Sequence, residues 1–135
     1  MYYGQRILPA LNVNIQTEVI ATEDCLFCKI ANGELPSKKL LETDELLAFE
    51  DIRPQAPVHV LLIPKKHIQS VQELEPEDKE LVGELHLAAQ KLAVQLGVEK
   101  DGYRIVSNVG FHGQQTVLHL HFHLLGGRQL QWPPG

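Results

Sequence analysis

His119-Leu120-His121-Phe122-His123-Leu124-Leu125 places a histidine at every second position of one short segment. Successive side chains of a β-strand point to opposite faces, so the three imidazoles would share one face while Leu120, Phe122 and Leu124 share the other. On a helix, alternate positions lie about 200° apart, and the same residues would scatter round the axis. The period predicts a strand, Val117–Leu125, with an apolar side turned to a core and an imidazole side free for chemistry.

Working outward, Tyr103–Asn108 has strand character, Val109–Gln115 is a glycine-containing loop, and Gly126-Gly127 ends the histidine strand in a turn. Upstream, the segment from Ile68 to Gly97 changes to helical spacing. Leu81, Leu85, Ala88, Ala89, Leu92 and Leu96 form one stripe, and Gly97 suits the C-terminal cap. VHVLLIP, Val58–Pro64, is apolar and β-branched enough for a central strand. Lys39–Glu42 and Leu46–Glu50 read as a hairpin turning at Thr43-Asp44-Glu45. A short helix carrying Cys25 and Cys28 starts after Asp24, the expected N-cap, and ends near Asn32-Gly33. These elements predict an α+β fold: an antiparallel five-stranded, meander-like sheet with one long helix and one short N-terminal helix. Residues 1–22 show no sustained period and read as an N-terminal extension. Residues 23–135 form the domain.

The 135 residues suit one domain with a core that needs no staples. Twelve Lys plus Arg against 17 Asp plus Glu give a net charge of −5, which offers no long-range attraction to nucleic acid or to an anionic membrane surface. The longest apolar runs are far too short to span a bilayer, and the start of the chain lacks a basic segment followed by an apolar one. The expectation is a cytoplasmic protein that binds neither nucleic acid nor membrane. Two cysteines at C-x-x-C spacing resemble a metal clip or redox pair more than a disulfide framework.

Along a strand, same-face histidines are roughly 6.5 to 7 Å apart, so two can address one small anion such as a phosphate. A neutral imidazole can attack phosphorus while a neighbour binds charge or assists a leaving group. Two other readings share the spacing: solvated histidines on an open sheet face, and a structural metal site.

HLHFHLL also resembles the His-x-His-x-His-x-x signature of the histidine triad (HIT) nucleotide-binding hydrolases and transferases. DCLFCKIANGELP, LAFEDIRPQAPVHVLLIPKKHI, GQQTVLHLHFHLLGGRQ and the final WPPG look like successive blocks of the Hint branch, from Asp24 to Gly135. The resemblance implies a purine nucleoside phosphoramidase. In it His121 attacks the α-phosphorus of a nucleoside 5′-phosphoramidate or related conjugate, a nucleotidyl-histidine forms, and water releases the nucleoside monophosphate. His123 would contact the phosphate and assist proton transfer, and His59 would support the nucleophile from an adjacent strand. A dinucleoside polyphosphate hydrolase is the alternative within the family. A nucleotide-binding interaction protein with incidental hydrolysis is the alternative outside it.

By the same resemblance, Asp51 holds the ribose hydroxyls, and Phe27 and Ile52 lie against the base. Asn108, the loop Gly113–Thr116 with Gln114 in it, and the Thr116 hydroxyl donate to the α-phosphate. Gln114 stands where Hint-like proteins often carry glycine, and Thr116 where many carry serine. Catalysis requires no cofactor. A structural zinc would sit on Cys25, Cys28, His67 and His119, as in some bacterial relatives, which separates His119 from the chemistry. The tail implies a homodimer in which Trp132 borders the partner's leaving-group pocket.

Overall fold

A computed structural model describes residues 24–135. The N-terminal extension expected over residues 1–22 lies outside them. In chain order the elements are α1 (Leu26–Ala31), β1 (Lys39–Glu42), β2 (Leu46–Glu50), β3 (Val58–Pro64), two short 3₁₀ turns, α2 (Lys79–Gln95), β4 (Tyr103–Val106) and β5 (Phe122–Gly126).

The five strands form one antiparallel sheet in the order β1-β2-β3-β5-β4. The expected α+β architecture holds. The chain meanders through β1, β2 and β3, α2 then carries it across to the far edge, and β5 fills the gap. This interior position sets the histidine strand beside β3, with His59 opposite Leu125 and Leu61 opposite His123.

Period-two alternation sorts the side chains onto two faces. Leu46 and Ala48 of β2, Val60 and Leu62 of β3, and Leu120, Phe122 and Leu124 join Leu81, Leu85, Ala88, Ala89 and Leu92 of α2 in one core. Leu47, Phe49, Leu61 and Ile63 face the other way and pack with Phe27 and Ile30 of α1. The long helix thus covers one whole side. Six-residue α1 covers only part of the other, and the histidines emerge beside it.

Several boundaries differ from expectation, and α2 starts at Lys79 rather than near Ile68, because Val71–Glu73 and Pro76–Asp78 form the short 3₁₀ turns instead. Cys25 rather than Asp24 caps α1, because its sulfur accepts the Cys28 N–H at 3.3 Å. β5 begins at Phe122 rather than Val117. Ahead of Phe122 the chain runs beyond the β3 ladder and bonds to the loop after it: Leu120 N–H donates to Ile68 O at 2.6 Å, and His119 Nε2–H to Pro64 O at 2.8 Å. β4 stops at Val106 rather than Asn108, where the Ser107 hydroxyl takes over by donating to His121 O at 3.0 Å. At the end of α2, Leu96 is the cap and Gly97 follows at φ +74°, the left-handed turn that releases the last carbonyls. No helix among the described residues is long and apolar enough to cross a membrane.

Candidate functional site

His59, His121 and His123 gather on the sheet face that α1 leaves partly open, with Asp51 at the end of β2 and Phe27 on α1 beside them. The hydrogen bonds assign the protons ring by ring. His121 Nδ1–H donates to the carbonyl of His119 at 2.7 Å, which leaves the lone pair on Nε2. His59 Nδ1 accepts the backbone N–H of Gln55 at 2.9 Å, so its proton is on Nε2. That Nε2–H meets His123 Nδ1 at 2.9 Å, with Asp51 Oδ2 at 3.4 Å. His123 Nδ1 is therefore an acceptor, and its own proton sits on Nε2. Adjacent to each other in space, His121 presents a lone pair and His123 a donor.

Phe27 fixes the His121 ring from the side, its centroid 5.0 Å from that of His121 at an interplanar angle of 88°. His121 and His123 stand 5.0 Å apart, centroid to centroid. Burial sets the charge. It pushes His123 down to about 4, aided by His121 and His59 and opposed by the Asp51 carboxylate. Burial also lowers His59 against the pull of Asp51. It lowers His121 as well, against its hydrogen bond to His119 and the Asp51 charge. All three imidazoles are neutral near pH 7, the state a nitrogen nucleophile needs.

The loop after β4 carries the remaining expected phosphate contacts. Asn108 is half-buried, Thr116 and Gln114 are exposed, and Gln114 occupies the left-handed region at φ +63°. The glycine expected at that position by family pattern therefore has a backbone reason. Gly113 packs so tightly that a Cβ there would press on the backbone of Val109. Asp51 Oδ1 accepts the Arg53 N–H at 2.7 Å, closing a turn and leaving Oδ2 facing His59. Ile52 is 93% exposed and touches the core of neither face. Trp132 is 80% exposed in a tail held along β4, where Arg104 donates to Gln131 O at 2.9 Å and its guanidinium lies 6.0 Å from the indole centroid. Trp132 and Ile52 are thus outside the histidine cluster of this chain.

Three contributors escaped the sequence reading. Gln55 and Pro64 act through backbone groups, for which no side-chain letter is a signal. Gln115 is almost fully buried and staples the loop: its carbonyl oxygen accepts Gly110 N–H at 3.2 Å, and its amide donates to Gln69 O at 2.8 Å and Val117 O at 3.0 Å. Its signal was available, since Gln115 lies within the quoted HIT-like block beside Gln114.

The second cluster joins Cys25, Cys28, His67 and His119, whose ligand atoms all lie within 4.8 Å of one another. His119 Nδ1 is 3.3 Å from Cys25 Sγ and 3.5 Å from Cys28 Sγ, and His67 Nδ1 is 3.2 Å from Cys28 Sγ. A tetrahedral zinc with bonds of about 2.3 Å to sulfur and about 2.0 Å to nitrogen has S···N edges of about 3.5 Å, which these spacings match. Because His119 Nε2–H donates to Pro64 O, its Nδ1 lone pair points at both sulfurs. Burial, then the hydrogen bond and charge of Cys25, push the Cys28 thiol up to about 12, and burial pushes His119 down to about 4. A divalent cation among these donors would invert the first effect and favour the thiolates. The donor set and its geometry fit zinc.

The chain matches the family described as scavenger mRNA decapping enzyme C-term binding over residues 24–131. An uncharacterized HIT-like protein of Synechocystis sp. is 50% identical over 113 residues, covering 84% of this chain and 98% of that protein. The crystal structure of a HIT family hydrolase from Legionella pneumophila is similar at a TM-score of 0.82 and 53% identity, covering 83% of this chain and 100% of that one. A histidine triad nucleotide-binding protein from Candida albicans is similar at a TM-score of 0.71 and 34% identity, covering 82% and 83%. A site of three neutral, hydrogen-bond-sorted histidines on the open face of this sheet, together with likeness over almost the full length of such relatives, places the chain in the histidine triad family.

Proposed function

We propose that the protein is a nucleotidyl hydrolase that cleaves purine nucleoside 5′-phosphoramidates or related conjugates through a nucleotidyl-histidine. The observation that carries this reading is the 2.7 Å bond from His121 Nδ1–H to His119 O, which leaves His121 Nε2 as a fixed, unprotonated nucleophile. Attack forms an N–P bond while the bond to the leaving group breaks. The His119 carbonyl stabilises the positive charge that develops on the attacking imidazole. His123 Nε2–H, oriented by His59, donates to the phosphoryl group. A carboxylate departs as the anion, whereas an amine takes up a proton from solvent by way of His123. Water then cleaves the N–P bond and releases the nucleoside monophosphate.

Asp51 binds the ribose through Oδ2, and Phe27 and Ile52 border the base. Asn108, Thr116 and the loop around Gln114 donate to the α-phosphate. Zinc on Cys25, Cys28, His67 and His119 plays a structural part, outside the reaction. Two copies pair through β4, the edge strand next to the tail, so that the exposed Trp132 reaches the neighbouring site; sedimentation as a monomer at micromolar concentration would remove this pairing.

The test of the chemistry is steady-state hydrolysis of adenosine 5′-phosphoramidate beside diadenosine polyphosphates by wild type and His121→Ala. The phosphoramidate is expected to be the better substrate, and the variant to lose its turnover. Equal rates in the two proteins would exclude His121 as nucleophile.

A further inference from the structure

The four-residue sulfur–nitrogen cluster is joined to the nucleophile by a short chain of bonds. The peptide unit between His119 and Leu120 is gripped at both ends. Its oxygen accepts His121 Nδ1–H at 2.7 Å, and its N–H donates to Ile68 O at 2.6 Å. The unit is tied to the cluster on both sides: Ile68, which accepts its N–H, follows His67, and His119, which supplies its oxygen, is itself a member. The His119 ring has 0% exposure and is held at both nitrogens, by the two sulfurs and by Pro64 O. It has no freedom to turn while the cluster is intact.

A second link runs through α1. Phe27 lies between Cys25 and Cys28 in sequence, and its ring meets His121 at 5.0 Å and His119 at 6.0 Å, edge to face in both cases. Fastening the two sulfurs therefore fastens the ring that flanks the nucleophile. The cluster reaches His121 from two directions, by a carbonyl and by an aromatic edge, while contacting no reacting atom.

We propose that the Cys25–Cys28–His67–His119 cluster is a positioning device for the nucleophile: it holds the His119 carbonyl where it keeps the His121 proton on Nδ1 and the lone pair on Nε2. This rests on the reading of His121 as the nucleophile. It goes beyond a merely structural metal, which would raise stability and leave turnover per folded molecule unchanged. Once the cluster is opened, the His119–Leu120 peptide rotates more freely, and the His121 proton exchanges between its two nitrogens. Only the tautomer with a bare Nε2 attacks. The loss therefore falls chiefly on kcat, because Asp51 and the loop still bind the nucleotide and only the Phe27 edge of the base site loosens.

The core beneath α2 contains none of the four cluster residues, whereas Cys25 and Cys28 pack with α1 on the other face, so opening the cluster disturbs α1 and leaves the α2 side of the sheet packed. The experiment compares zinc-loaded wild type, the same protein stripped by a chelator, and Cys28→Ser, all below their unfolding temperatures. Histidine ¹⁵N NMR reads the His121 tautomer, and steady-state kinetics on adenosine 5′-phosphoramidate separate kcat from KM. The loaded protein is expected to show the proton on Nδ1 alone. The stripped protein and Cys28→Ser are expected to show both tautomers and about tenfold lower kcat with little change in KM, and zinc to restore wild type only. A folded, stripped protein with the loaded tautomer and the loaded kcat overturns the proposal, as does a folded Cys28→Ser with both. If His121→Ala turns over like wild type, the nucleophile reading fails instead, whatever the NMR shows.

Discussion

Acidification from about pH 7 to about pH 5 bears directly on the charge of the site. His123 is pushed down to about 4, chiefly by burial, with His121 and His59 adding to the effect and the Asp51 carboxylate opposing it. At pH 5 an imidazole of ordinary pKa, near 6.5, is about 3% neutral, whereas one near 4 is about 90% neutral. The geometry agrees, because a second proton on His123 Nδ1 would face the Nε2–H of His59 at 2.9 Å. His59 cannot turn its lone pair to meet it without losing the Gln55 N–H on the other nitrogen. His59 and His121 are both lowered by burial in the same direction.

The assay is kcat/KM for adenosine 5′-phosphoramidate across the acid range, since that ratio reports the free enzyme. The acid limb should lie below about 6.5, because burial lowers His121 and His59 and holds His123 near 4. The limb of kcat should lie higher, because bound phosphate favours protonated imidazoles. An acid limb in kcat/KM centred on the ordinary histidine value would refute this account of burial. Stability moves over the same window. The unfolded chain carries His59, His121 and His123 near 6.5 and the folded chain carries these three lower, so the unfolded state binds more protons between the two values. Folding free energy is accordingly undiminished above about 6.5, falls as the pH drops towards about 4, and levels off below it. Urea midpoints on the same samples separate this loss from loss of catalysis.

Leu124→Ala removes a fully buried side chain from the core under α2, opposite His123 on the same strand. It should cost about 3 kcal/mol in denaturant unfolding; a loss well under about 1 kcal/mol would mean that this core is not closed there. Gln114→Gly relieves a left-handed backbone of about 1 kcal/mol, partly offset by the greater freedom of glycine in the unfolded chain. A small net gain is expected in the same assay, and a clear loss would show that the glutamine side chain makes a stabilising contact.

The two-sided character of the histidine strand was legible because it depends on side-chain period alone, and Leu120, Phe122 and Leu124 do meet the α2 stripe. The stripe itself, from Leu81 to Leu92, was legible for the same reason. Strand ends were not. Whether Val117–His121 joins a ladder depends on where β3 ends, and Pro64–Ile68 supplies bonds that stop the ladder short. The cap of α1 was missed because sulfur is an uncommon capping acceptor and Asp24 offered a commoner one. Adjacent Gln114 and Gln115 look alike in sequence, yet one is exposed in a left-handed turn and the other is an almost fully buried staple. Only the path of the loop separates them.

Three chemically identical side chains on one extended segment differ because the backbone around them differs. Pro64 O takes the Nε2 proton of His119 and turns its Nδ1 to the sulfurs. The carbonyl of His119 takes the Nδ1 proton of His121 and leaves Nε2 bare. The N–H of Gln55 claims Nδ1 of His59, so that His59 donates to His123 and sends the His123 proton outward. Each of these groups would be present with another residue at positions 55, 64 or 119. Their directions, however, come from the β3–β5 pairing and from the loop that follows β3. A histidine every second residue therefore supplies the face, and the strand order β3-β5-β4 supplies the division of labour. A change that leaves all four histidines in place but shifts the register of β5 against β3 by two residues would keep the imidazole face and the local His119–His121 bond, but would part His123 from His59 and His119 from Pro64 O, and so lose the His123 tautomer.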